Sequence, residues 1–141
     1  MKVYQETIEV KANRSLGHGL VDITSRVEAA LARSQVHTGL CTLFARHTSA
    51  SLCVQENADP SVLRDLERWM ASTVAESFPW EHDYEGSDDM PAHVRSMLSH
   101  TSLQIPVMTG RLALGVWQGI YLWEHRTRPR TRSVVLHFMG I

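Results

Sequence analysis

A chain of 141 residues is long enough to bury one core without disulfide or metal staples, and 43% hydrophobic with 21% charged residues is an ordinary globular composition, arguing against a disordered or membrane-embedded class. Fourteen Lys and Arg against fifteen Asp and Glu leave a net charge of −1, so no general attraction to nucleic acid or to an anionic membrane is expected. The two cysteines, Cys41 and Cys53, lie in apolar stretches without Cys-x-x-Cys spacing, which predicts reduced thiols in a cytoplasmic protein rather than a thiolate zinc site.

Residues 3–10 alternate as a strand does, where a leader would show a continuous apolar run. Asp22 then stands before ITSRVEAALARS, in which Ile23, Val27, Ala30 and Leu31 recur at helical spacing behind an N-cap residue. Residues 39–46 and 50–55 are short and rich in β-favouring side chains, so His47-Thr48-Ser49 falls at a strand end. Asp59-Pro60 is an N-cap followed by a first-turn proline, opening a helix with Leu63, Leu66, Met70 and Val74 on one stripe.

From Ser77 to Pro91 breakers and the lack of a period predict a long loop, with residues 91–99 as a short helix after it. The remainder predicts strands over 102–108, 112–117, 119–127 and 132–139, arranged as an antiparallel meander. No repeat, low-complexity tract or linker divides the chain, so a single domain over residues 1–141 is expected.

Six titratable or metal-capable residues fall within twelve positions: His82, Asp83, Glu85, Asp88, Asp89 and His93. Imidazoles with carboxylates suit a divalent cation, Mg²⁺ or Zn²⁺, and crowded carboxylates repel one another unless solvated, protonated or bound to one. A solvated acidic loop is the plain alternative. His47, with Thr48, Ser49 and Ser51 after it, gives a polar end to an apolar strand face. Without a Gly-x-Ser-x-Gly elbow, a serine hydrolase is not supported.

Gly115-Val116-Trp117-Gln118-Gly119 brackets an aromatic ring and an amide between glycines, as a strand bend or a backbone passing close to a ligand requires. Alternation over 120–126 sets Ile120, Leu122, Glu124 and Arg126 on one face and Tyr121, Trp123 and His125 on the other, with Glu124 and Arg126 placed as an ion pair. Alternatively, Arg126 and Arg132 present planar forks suited to a phosphate or pyrophosphate. His18, His37 and His100 have no such company and read as surface or structural residues.

Taken together and in order, HTSASLCVQENADP (47–60), EHDYEGSDDMPAHVRS (81–96) and GRLALGVWQGIYLWEHR (110–126) closely resemble the YjbQ-like family, and the resemblance covers nearly the whole chain. It implies an α+β fold of two small, mostly antiparallel sheets packed with helices, the sheets of three subunits meeting around a homotrimer axis. It also implies a secondary thiamine-phosphate synthase activity, joining a pyrimidine diphosphate to a thiazole phosphate with release of pyrophosphate.

Residue by residue, the family pattern falls on His47, Thr48, Ser49, Asn57, Asp59, Glu85, Asp88, His93, Trp117 and Gln118. In that reading Glu85, Asp88 and Asp89 hold a divalent cation, Arg126 and Arg132 hold phosphate oxygens, Asn57 or Gln118 meets the pyrimidine, Trp117 stacks, and His47 or His93 moves protons. Two rivals remain. One is a metal-dependent hydrolase of small phosphate compounds, with His47, His82 and His93 on zinc and Glu85 as base. The other is a non-catalytic trimeric protein that sequesters a small phosphorylated metabolite.

Overall fold

The computed structural model describes residues 1–141, except for the side chain of Leu16. The alternation at the N-terminus forms strand β1 (Lys2–Ala12), which buries Ile8, Val10 and Ala12 and leaves Thr7, Glu9 and Lys11 in solvent. After the short strand β2 (Leu20–Asp22), helix α1 (Thr24–Ser34) buries Val27, Ala30 and Leu31. Its N-terminus is held by Asp22, whose carboxylate accepts from the Thr24 backbone N–H at 2.9 Å and hydroxyl at 2.6 Å. Gln35 ends it in the left-handed region at φ 57°.

Strands β3 (Gly39–Ala45) and β4 (Ala50–Glu56) follow. Helix α2 (Pro60–Thr73) begins as the sequence predicts, with the Asp59 carboxylate accepting the Ser61 N–H at 2.9 Å. Helix α3 (Asp89–Leu98) starts two residues before the expected position, which places Asp89 and His93 one turn apart on the same face. Strands β5 (Ser102–Met108), β6 (Arg111–Leu112), β7 (Gln118–Glu124) and β8 (Arg130–Gly140) complete the chain.

All pairings are antiparallel and build two sheets, a five-stranded one in the order β1-β8-β3-β5-β6 and a three-stranded one in the order β2-β7-β4. The α+β architecture is therefore the expected one, but the meander is not. Only β5 and β6 form a hairpin, β7 belongs to the small sheet, and residues 113–117 are a turn rather than a strand. The physical reason lies in β7, where every residue after Gln118 is buried, so the strand needs cover on both faces. Ile120 and Leu122 enter the main core with α1 and the large sheet, while Tyr121 and Trp123 enter a second cluster with Leu63 and Met70 of α2. Gly39 and Gly140 permit the closest approach in the large sheet, because a Cβ on either would fall 2.1–2.2 Å from a carbonyl oxygen.

Consecutive strands β3 and β4 lie in different sheets, and so do β7 and β8. Both crossings occur at one place: Ala45 pairs with Val134 in the large sheet, and Ala50 pairs with Glu124 in the small one. His47–Ser49 and residues 125–132 are thereby brought together where the chain passes between sheets. No helix among the described residues is long and apolar enough to cross a membrane.

Candidate functional site

The crossing of strands brings His47, Ser49, Glu124 and Arg132 into one group. Glu124 is fully buried and carries the only charge facing inward on β7, so it requires a partner. Arg132 supplies it by a bidentate pairing, Nε to Oε1 at 2.7 Å and Nη2 to Oε2. Arg132 Nη2 also donates to Ser49, at 2.9 Å to the hydroxyl and 3.2 Å to the carbonyl oxygen. His47 Nε2 accepts the Ser133 N–H at 2.7 Å, and burial, reinforced by the Arg132 charge, pushes its pKa below the usual imidazole range.

A second group forms where residues 82–88 meet α3. One ligand atom from each of His82, Asp89 and His93 lies within 4.8 Å of the other two, and His82 Nε2 and His93 Nε2 stand 2.7 and 3.2 Å from Asp89 Oδ2. His93 Nδ1 lies 3.0 Å from the Thr48 carbonyl oxygen, so it carries the hydrogen and leaves Nε2 to face Asp89. Glu85 stands 3.4 Å from His82 Nε2 on the solvent side.

Arg126 braces this group. It donates to Asp88 Oδ2 at 2.9 Å, to Asp89 Oδ1 at 2.8 Å and to the Glu85 carbonyl oxygen at 2.9 Å. Asp88 also accepts the Thr127 N–H at 2.9 Å. Burial alone would raise the Asp88 pKa, but the Arg126 and Thr127 hydrogen bonds outweigh it and hold the group at about 2. Asp89 is likewise held below the ordinary carboxylate range, its burial opposed by His82, His93 and Arg126.

An open cleft of about 720 Å³ is lined by His47, Thr48, Ser49 and Arg132 of the first group and, from the second, by His93 alone. A cleft of about 790 Å³ lies elsewhere, between Lys11, His18 and Arg130, but it contains neither of these groups.

Of the residues singled out in the sequence, the structure brings His82, Asp89 and His93 together and sets His47 beside Arg132, outside that trio. Asp88 turns towards Arg126 and Thr127 instead of joining it. Arg126 spends its donors on Asp88, Asp89 and Glu85, and its side chain does not pair with Glu124, which accepts from Arg126 the backbone N–H alone.

Asn57, Trp117 and Gln118 stand at the other end of the small sheet, six residues along β4 from Ala50, or roughly 20 Å away. There Asn57 Nδ2 donates to the Val116 and Gln118 carbonyl oxygens at 3.2 and 3.3 Å, and Gln118 Oε1 accepts the Gly115 N–H at 2.8 Å. Sequence reasoning passed over Glu124 as a member of the site. An acid alone in an otherwise apolar strand was its available signal, because such a charge must find a buried partner.

The family model described as UPF0047 protein YjbQ-like matches residues 6–141. The UPF0047 protein sll1880 of Synechocystis is 49% identical over 138 residues, covering 97% of this chain and 94% of that one. The UPF0047 protein YjbQ of Escherichia coli O157:H7 is 44% identical over 138 residues, covering 97% and 98%. Among solved structures, a YbjQ-like protein of Sulfolobus solfataricus superposes with a TM-score of 0.90 at 27% identity, covering 99% of each chain. A conserved protein of Thermus thermophilus superposes with a TM-score of 0.82 at 38% identity, covering 95% of this chain and 99% of that one. Sequence and fold agree across the whole chain, which belongs to the YjbQ-like (UPF0047) family.

Proposed function

We propose that the protein is a metal-dependent enzyme acting on a small phosphorylated metabolite in the cleft between His47 and His93. The observation that carries this reading is the convergence of His82, Asp89 and His93, the last of which also lines the cleft. Two imidazoles and one carboxylate make a set of three protein ligands with room for a fourth, the pattern of catalytic rather than structural sites, and their nitrogen content favours Zn²⁺ over Mg²⁺. The Thr48 carbonyl orients His93, and Arg126 holds Asp89 by its other oxygen, as ligands to a metal require.

The reaction proposed for this cleft is of the secondary thiamine-phosphate synthase type. A bond joins the pyrimidine to the thiazole phosphate while the bond to diphosphate breaks, its electron pair leaving on the diphosphate oxygen. A divalent ion at the three ligands would supply Lewis-acid stabilisation of that developing charge. On the protein side, Thr48 and Ser49 line the cleft, Arg132 is held by Glu124, and Arg126 donates to Asp89 Oδ1.

Hydrolysis is a second reading, supported by Glu85, whose exposed carboxylate stands 3.4 Å from His82 as a base for water would. The assay mixes metal-loaded protein with pyrimidine diphosphate, with and without thiazole phosphate. Pyrophosphate released only when both are present supports the synthase. Phosphate or pyrophosphate released from either substrate alone supports the hydrolase, and binding without turnover leaves a sequestering protein.

The proposed assembly is a homotrimer formed through the open face of the large sheet. Val3, Phe44, Met108 and Met139 are exposed there, on the face opposite the main core. Sedimentation should give a mass near three times 15.9 kDa, and a mass near one subunit would remove the assembly.

A further inference from the structure

The cleft holds donors beside His47 that a metal at His82, Asp89 and His93 would leave unused. Because His47 Nε2 accepts the Ser133 N–H at 2.7 Å, a neutral ring carries its hydrogen on Nδ1. Turning the ring over would set a carbon against that N–H and lose the bond. Nδ1 lies 3.3 Å from Arg132 Nη1, and a guanidinium nitrogen never accepts. Two N–H groups therefore point into the same space.

Nothing else relieves them. Arg132 spends Nε and Nη2 on Glu124 and Ser49, so among the described residues its Nη1 hydrogens have no acceptor. The side chain is only 7% exposed, and buried N–H groups are costly to leave unpaired. Arg46 stands exposed on the rim of the same cleft and adds a positive charge, while Glu124 offsets that of Arg132.

We propose that His47 Nδ1 and Arg132 Nη1 form a subsite for a tetrahedral oxyanion, the terminal phosphoryl group of a small phosphorylated metabolite, with one oxygen accepting from both. The subsite deepens the reading of the cleft given above, yet its donors are in place without any metal. A carboxylate could meet both N–H groups too, but the Ser49 hydroxyl and Arg46 on further sides suit a group with oxygens in several directions.

The test uses full-length protein stripped of metal with EDTA, with inorganic phosphate as the probe and acetate as the planar comparison. Nitrogen-15 NMR follows His47 Nδ1 and the Arg132 guanidinium. Saturable shifts at both sites with phosphate, and weaker ones with acetate, are expected. His47→Phe should weaken phosphate binding roughly tenfold, the value of one hydrogen bond to a charged group. His47→Asn, whose amide nitrogen can take the place of the Nδ1 donor although its oxygen falls short of Ser133, should restore part of it. Unmoved resonances in the wild type, or wild-type affinity in a folded His47→Phe protein, would overturn the subsite. Because no metal is present, either result is independent of whether the metal-loaded protein turns over.

Discussion

The two ends of the three-stranded sheet carry similar polar residues and put them to different uses. At the Asn57–Gln118 end the amides brace the turn over residues 113–117 and spend their main donors and acceptor on backbone. At the Ala50–Glu124 end, strands leave for the other sheet and side chains must meet without a ladder to satisfy them. Arg132 Nη1 and His47 Nδ1 remain with hydrogen-bonding capacity at a cleft that His93 also lines, and His93 belongs to the trio it forms with His82 and Asp89. Polarity at a strand end thus does not mark a site; polar groups whose capacity the fold has not consumed do.

The sharpest way to break that contrast is at the ion pair beneath the cleft. Glu124→Gln leaves the buried Arg132 without its counter-charge and should cost about 3–5 kcal/mol in urea unfolding. A cost below about 1 kcal/mol would mean that water already reaches the pair.

Acid should act next. His125 is fully buried, and burial, aided by the charges of Arg95, Arg14 and Arg132, lowers its pKa to about 3. Between pH 6.5 and about 3 the unfolded chain binds a proton that the folded one refuses, so stability is lost as the pH is lowered, by up to roughly 1.4 kcal/mol per unit. His125→Asn should flatten that slope relative to wild type. Asp88 works in a lower window, its contribution complete above pH 3.8 and lost as pH falls towards about 2. Asp88→Asn should therefore leave the slope between pH 6.5 and 4 unchanged.

At the opposite end of the sheet, Asn57→Ala should cost about 1 kcal/mol through the lost braces and leave phosphate binding to the metal-free protein unaltered. Loss of binding there would make both ends one site. Trp117, 64% exposed, should be worth less than about 0.5 kcal/mol when changed to Ala. A larger loss, appearing together with a change in sedimentation mass, would show that a neighbouring copy covers the ring.

Local chemistry was legible in the sequence wherever one segment decides it. Asp59-Pro60 and the stripe Leu63, Leu66, Met70 locate α2, and alternation locates β1, because capping and burial there depend on near neighbours. Sheet membership was not legible, since β7 and β8 are adjacent in sequence but separated by both sheets' pairing preferences. The same limit governs the site. Glu124 and Arg126 read as a pair on one strand face, yet Glu124 takes Arg132 across the crossing and Arg126 reaches the start of α3. His47 and His93 were each conspicuous, but their shared cleft depends on contacts between residues 48 and 93 that no spacing encodes.

The proposed divalent-ion site at His82, Asp89 and His93 underlies the rest of the functional reading. It is tested most directly by metal analysis of protein purified without chelator or affinity tag and then dialysed against Zn²⁺, comparing wild type with His93→Ala and Asp88→Ala. Close to one ion per chain is expected in wild type, with loss in His93→Ala and retention in Asp88→Ala, since the Asp88 carboxylate faces Arg126. A wild-type protein that takes up no ion, or a His93→Ala protein that keeps its full complement, would contradict it.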